Sequence, residues 1–267
     1  MQRVFITLIV VCILAAPATL SLASDSHPST STLISTNNGA LYNNDPRFGE
    51  NKDVSDKFTF VRIMHGQVYP GQYLGDHGIP WSHDYPEAGQ HFSKILSELS
   101  KLQINIDMVE YLFSFRDPNL FKYPFAYLCE VGDMTLSDDE IAGMKEYLSR
   151  GGFLLIDDFR GGWDFSNLAS HLKRAFPESD MKQLDVSHPI FNCFFSIKSL
   201  DVRSPYGRLR PEFWGLEDKG GRLMAIINYN NDVSDYWQWS NDPFQPIDDT
   251  NTAYKFGVNY VFYALTH

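Results

Sequence analysis

Apolar positions recur along this chain with two different periods, and the switches between them mark the elements. Residues 58–64, Phe-Thr-Phe-Val-Arg-Ile-Met, alternate apolar and polar and predict a first strand that ends in His65 and Gly66. Residues 104–109 predict a short second strand. Residues 125–131 predict a buried one closed by Gly132. Residues 153–156, Phe-Leu-Leu-Ile, are apolar throughout, as in a strand covered on both faces.

Helical spacing fills the intervals. Ala88, Phe92, Ile95, Leu96 and Leu99 share one face, and Asp84, Pro86 and Glu87 suit a capped start with proline in the first turn. Ser137 and Glu140 form a capping-box pattern ahead of Ile141, Met144, Tyr147 and Leu148, and Gly151 supplies a left-handed stop. Phe165, Leu168, Leu172 and Phe176 place a third helix. Beyond Pro177 the pattern loosens. Residues 187–195 predict a turn with a short helical piece. Residues 213–216 and 222–228 predict a hairpin or a crossover edge, and residues 230–249 a polar loop containing tryptophan. Tyr254, Val258, Val261, Phe262 and Leu265 predict a C-terminal amphipathic helix. No internal repeat is visible. Strands alternating with helices through short connections predict an α/β domain: an open, mostly parallel sheet with helices on both faces.

The N-terminus carries a different signal. Arg3, the apolar run of residues 4–14, and small residues at Ser21 and Ala23 predict a signal peptide cleaved after Ala23 and export to the periplasm or the extracellular space. The apolar run is shorter than the roughly 20 residues a spanning helix needs. An uncleaved N-terminal anchor is the alternative. Residues 24–57 are polar and aperiodic and read as a tether, leaving residues 58–267 as the folded domain.

The chain is 43% hydrophobic and 15% aromatic, with a formal net charge of −11, which becomes more negative once Arg3 is removed. Such acidity excludes nucleic acid as the expected partner and, after cleavage, no membrane span is expected. Cys12 leaves with the signal. Cys129 and Cys193 read as two buried unpaired residues, with a disulfide as the alternative in an oxidising compartment.

Candidate chemistry gathers where the fourth strand ends. In open parallel sheets, ligands collect at the carboxyl ends of strands. Asp157 and Asp158 stand there, as an acid/base pair or metal ligands on one reading, as a helix cap and an Arg160 partner on the other. Glu130 ends the neighbouring strand and would project into the same crevice, where an oxygen-rich cation site is one option and a plain ion pair another. His65 and His83 flank an aromatic loop at residues 67–83 that holds Tyr69, Tyr73, His77 and Trp81. His91 reads as a helix-surface residue. No HxH or HExxH spacing signals zinc, and no metal or cofactor is assigned.

Covalent chemistry has little support. There is no G-x-S-x-G or G-x-C-x-G elbow and no phosphate loop, and a carboxylate beside Cys129 raises its thiol pKa. Trp237 and Trp239 lie beside Asp232 and Asp235, where they can stack on a sugar or plug the loops onto the sheet. The candidate catalytic residues are therefore Asp157, Asp158 and His65. The candidate ligand contacts are Glu130, Arg160, Trp81, His83 and Asp84, with Asp232 and Trp237 from the later loop.

Five blocks carry a resemblance: HDYPEA at 83–88, LSDDEIAGMKEYLSRGGFLLIDDF at 136–159, SHPIF at 187–191, GRLMAIINYNND at 221–232 and FGVNYVFYAL at 256–265. In this order they resemble the family called domain of unknown function 4159, over about residues 58–267. The resemblance implies a glutamine amidotransferase-like α/β fold, flavodoxin-like in architecture and related in outline to the trehalose-utilisation (ThuA-like) proteins. It also implies bacterial, exported relatives. Where a glutamine amidotransferase has its cysteine nucleophile, this chain has Asp158 or a near neighbour, so the thioester route does not carry over. The expectation is non-covalent binding of a small polar ligand. The alternatives are a carboxylate- or metal-dependent hydrolase or lyase using Asp157 or Asp158, and an interaction module with an envelope protein as partner. Oligomeric state is left open.

Overall fold

The computed structural model describes Asn51 and residues 56–66, 79–106 and 110–267. The predicted signal peptide, nearly all of the predicted tether, and residues 67–78 of the aromatic loop, with Tyr69, Tyr73 and His77, lie outside the described residues.

Seven strands form one sheet: β1 (Val61–Ile63), β2 (Tyr111–Phe113), β3 (Phe125–Leu128), β4 (Phe153–Ile156), β5 (Met181–Gln183), β6 (Glu212–Glu217) and β7 (Leu223–Tyr229). Their order is β2-β1-β3-β4-β7-β6-β5. The first five in that order run parallel; β6 turns back on β7 as an antiparallel hairpin, and β5 adds antiparallel at the edge. The parallel half needs helical crossovers, and the amphipathic segments supply them. The helices are α1 (Glu87–Leu99), α2 (Asp138–Ser149), α3 (Gly161–Ala175), α4 (Val233–Gln238) and α5 (Ile247–Thr266).

Strand alternation divides the core into two layers. Leu154 and Ile156 join Ile141, Met144, Leu168 and Leu172 of α2 and α3 on one face. Phe153 and Leu155 join Phe92 of α1 and Val258 and Val261 of α5 on the other. The capping box at Ser137 and Glu140 is formed, and Gly151 takes φ +106° at the helix stop. That conformation costs an L side chain but not glycine.

Three expectations change. The second strand lies at Tyr111–Phe113, pairing in register with β1, whereas residue 104 makes only an isolated bridge to Phe58 and Ile106 is exposed; residues 107–109 of the predicted strand lie outside the described residues. Second, the predicted loop at 230–249 contains α4 and the start of α5, because Asp232 caps Asp235 N–H and opens a helix. Third, Cys193 is exposed rather than buried, and both described cysteines are free.

Arg62 shows why two covered faces matter. The alternating pattern of its strand placed it on a polar side, yet it is fully buried. Its guanidinium forms a two-pronged ion pair with buried Glu110. It also donates to the main-chain oxygens of Trp81 (3.1 Å) and His83 (2.7 Å). Glu110 accepts the N–H of Gly89 at 2.9 Å, and a Cβ on Gly89 would sit 2.4 Å from that carboxylate. The pair thus fixes the connection from β1 to α1 against the sheet.

Candidate functional site

That connection brings His83 and Asp84 over the carboxyl ends of β3, β4 and β7. Asp84 does not cap α1. Its backbone turns left-handed at φ +60° and its side chain points inward, accepting from Ser234 Oγ at 2.6 Å. Glu130 follows β3 at φ +49° and Asp158 follows β4 at φ +54°. With Asn230 after β7, these are the non-glycine residues with positive φ among the described residues. Left-handed backbone is uncommon outside glycine, and its concentration at one sheet edge is the pattern of a functional site.

The side chains converge. His83 Nδ1 lies 2.5 Å from Asp158 Oδ2 and 3.7 Å from Glu130 Oε1, and its Nε2 lies 4.0 Å from Asp84 Oδ1. The Tyr206 hydroxyl donates to the other oxygen of Asp158. Asp232 completes the group: one donor atom each from His83, Asp84, Asp158 and Asp232 can be chosen so that all lie within 4.8 Å of one another. Ser234 Oγ contacts Asp84 Oδ2 and, at 2.9 Å, Asp232 Oδ1, with Tyr127 OH behind it at 2.6 Å. A hydroxyl has one proton to give, so it satisfies one of these two carboxylates at a time. Asp84 Oδ1 accepts no hydrogen bond. Solvent reaches the cluster through His83 and Glu130, whose side chains are 28% and 34% exposed, while those of Asp84 and Asp158 are 1% exposed.

Crowded carboxylates cannot all ionise freely. Burial and the Asp158 charge push Asp84 to about 7 and Glu130 to about 8. Burial, Asp158 and Asp84 hold Asp232 well above the carboxylate range. His83 is pushed up to about 10 by its hydrogen bond to Asp158, against the opposing effect of burial. For Asp158, burial acts upward, but the His83 and Tyr206 contacts outweigh it and hold the carboxyl below its ordinary value. The arrangement is an imidazolium–carboxylate pair beside carboxyls that share protons, able to bind hydroxyls or cations and to move a proton at Asp84 or Glu130 near neutral pH.

The adjacent acids do not act as a pair. Asp157 reaches a different set of partners, because the left-handed backbone at Asp158 breaks the extended chain just beyond β4. It accepts from Asn228 Nδ2 (2.9 Å), Val233 N–H (2.8 Å) and Ser234 N–H (3.1 Å), anchoring the first turn of α4. Burial nevertheless raises its pKa. Arg160 stacks its guanidinium over the Tyr206 ring, 4.5 Å from the centroid. His65 is buried, with Nε2 2.7 Å from the Cys129 oxygen, and burial lowers it to about 4, so it stays neutral. Trp81 and Trp237 are fully buried and present no face to a ligand; Trp237 packs on Phe92 at 4.5 Å. His91 is half-buried beside the Trp237 main-chain oxygen. Cys129 is buried beside Arg62, and burial drives its thiol well above the ordinary range.

Tyr206, Ser234 and Tyr127 escaped the sequence reading. Tyr206 sits in an aperiodic segment, and nothing local points it at Asp158. Ser234 follows Asp232 by two residues, and that helix start was the available signal.

Fold and site together define an α/β protein with a polar, acid-rich cluster at the carboxyl edge of a mostly parallel sheet. The chain belongs to the family described as domain of unknown function (DUF4159), whose sequence pattern matches residues 59–265. A search of curated proteins finds no match. Among the described residues, no helix is long and apolar enough to cross a membrane.

Proposed function

We propose that this chain is an exported protein that binds a small, hydroxyl-rich ligand non-covalently in the acid-rich crevice. The observation that carries this reading is the set of three left-handed acids, Asp84, Glu130 and Asp158, around His83. Carboxylates accept from hydroxyls and repel anions, so a sugar or polyol fits and a phosphate or carboxylate ligand does not. The parallel order β2-β1-β3-β4-β7 favours a flavodoxin-like, glutamine amidotransferase-like architecture, in which ligands sit near the reversal between β1 and β3. The raised thiol of Cys129, inside the core, fits a protein that is not a glutaminase.

The test is a thermal-shift comparison of glucose, trehalose, N-acetylglucosamine and myo-inositol with citrate and phosphate, in chelator-treated and untreated protein. The expected result is a rise in melting temperature with one or more of the hydroxyl-rich probes, absent in Asp158→Asn. A rise with the anions alone, a rise kept in Asp158→Asn, or no rise with any hydroxyl-rich probe contradicts the reading.

A further inference from the structure

We propose that His83, Asp84, Asp158 and Asp232 form a binding site for one first-row divalent cation, with Mn²⁺ or Zn²⁺ as the fitting ions. The proposal deepens the crevice reading above and rests on it for the ligand, whose hydroxyls would fill the cation's remaining positions. Two separate observations carry it. The first is geometric: four donor atoms from four side chains lie within 4.8 Å of one another, close enough for a single ion to touch all of them. The second is Asp84 itself. Its side chain is 1% exposed, its Oδ2 is held by Ser234, and its Oδ1 accepts no hydrogen bond while standing 4.0 Å from His83 Nε2. A buried carboxylate oxygen without a donor costs free energy unless something fills that place. A cation fills it, whereas a further carboxylate cannot.

The donor set also selects the ion. One imidazole, whose proton leaves as the ion binds, and three carboxylates suit Mn²⁺ or Zn²⁺ better than Ca²⁺, which prefers six or more oxygens, or Cu⁺, which prefers sulfur. The orienting contacts that ligating carboxylates need are in place. Tyr206 holds Asp158 from behind, Ser234 donates to Asp84 or to Asp232, and Asp235 N–H holds Asp232 Oδ1 at 2.8 Å. Entry is from the solvent side, past His83 and Glu130.

The sequence shows no spacing signature because the four ligands come from three separate connections: His83 and Asp84 before α1, Asp158 after β4, Asp232 after β7.

Calorimetric titration of the chelator-treated full chain with Mn²⁺ and with Zn²⁺ tests the site. The expected result is one cation per chain. Binding should be weakened at least about tenfold in Asp84→Asn, Asp232→Asn and His83→Gln, and unchanged in the surface control Asp139→Asn. Asn tolerates the left-handed backbone at 84 and keeps the capping oxygen at 232, and His83 is partly exposed, so the three variants are expected to fold. No saturable binding of either ion at millimolar concentration, or wild-type affinity in every folded site variant, overturns the proposal. The two readings fail separately. Polyol binding that survives chelation, with no cation bound, removes the cation site alone. Cation binding with no polyol effect removes the polyol reading alone.

Discussion

Two neighbouring aspartates at the end of one strand do opposite jobs. Asp157 is a structural acceptor for α4, and Asp158 is the centre of the acid cluster. Asp157→Asn puts an amide nitrogen against Asn228 Nδ2 or against the N–H groups of Val233 and Ser234, a donor facing a donor in either orientation. Asn228 cannot simply turn over, because its Oδ1 accepts the Tyr260 hydroxyl. Denaturant unfolding should therefore show a loss of about 1–3 kcal/mol for Asp157→Asn. In Asp158→Asn the oxygen still accepts from Tyr206, Asn suits φ +54°, and an electrostatic source of repulsion on Asp84, Glu130 and Asp232 is gone. That variant should unfold within about 1 kcal/mol of wild type yet lose ligand binding. Equal destabilisation of the two would mean that Asp158 is as structural as its neighbour.

At the scale of elements, the connection between β1 and α1 is what turns a sheet edge into a site. It carries His83 and Asp84, and it is tied down by Arg62 through two main-chain oxygens and by Glu110 through Gly89. Burial works to lower the charged state of Arg62, and the Glu110 carboxylate restores it, so the guanidinium stays charged. Arg62→Met would strand Glu110 in the core and release the His83 oxygen. The expected cost is about 3–5 kcal/mol in denaturant unfolding. Repair should come from removing the stranded charge as well: Arg62→Met with Glu110→Gln should recover a substantial part of that loss. A double variant no more stable than Arg62→Met would show that Glu110 is not the penalty.

Across the whole molecule, the layers were legible in the sequence and the site was legible in pieces. Both faces of β4 are covered, so its unbroken apolar run was an unambiguous strand, and the capping box at Ser137 was a local signal for a local structure. Asp158, Glu130, His83, Asp84 and Asp232 could be suspected because strand ends and helix starts place them at one edge. What could not be read is which way each side chain turns. The buried fates of Arg62, Trp81 and Trp237, the separation of Asp157 from Asp158, and the approach of Tyr206 to Asp158 are all decided by tertiary packing between distant segments. The proposed site is held at a cost in stability, with protons standing in for its ligand. The folded protein binds protons more tightly than the unfolded chain at Asp84, with a pKa of about 7, Glu130, about 8, and His83, about 10. Between pH 6.5 and 8 all three lose stability as pH rises, because the unfolded chain has by then released protons that the folded state still holds or is giving up. His65, lowered to about 4 from an unfolded value of 6.5, opposes this below the window and fades through its lower part. The most direct test is urea unfolding in metal-free buffer at pH 6.5 and pH 8, for wild type and for Asp158→Asn. Wild type should be less stable at pH 8. In Asp158→Asn, where His83 has lost its partner and the other acids their repelling neighbour, that decline should be much smaller. Stability that rises with pH in wild type, or an equal decline in both proteins, would contradict the account.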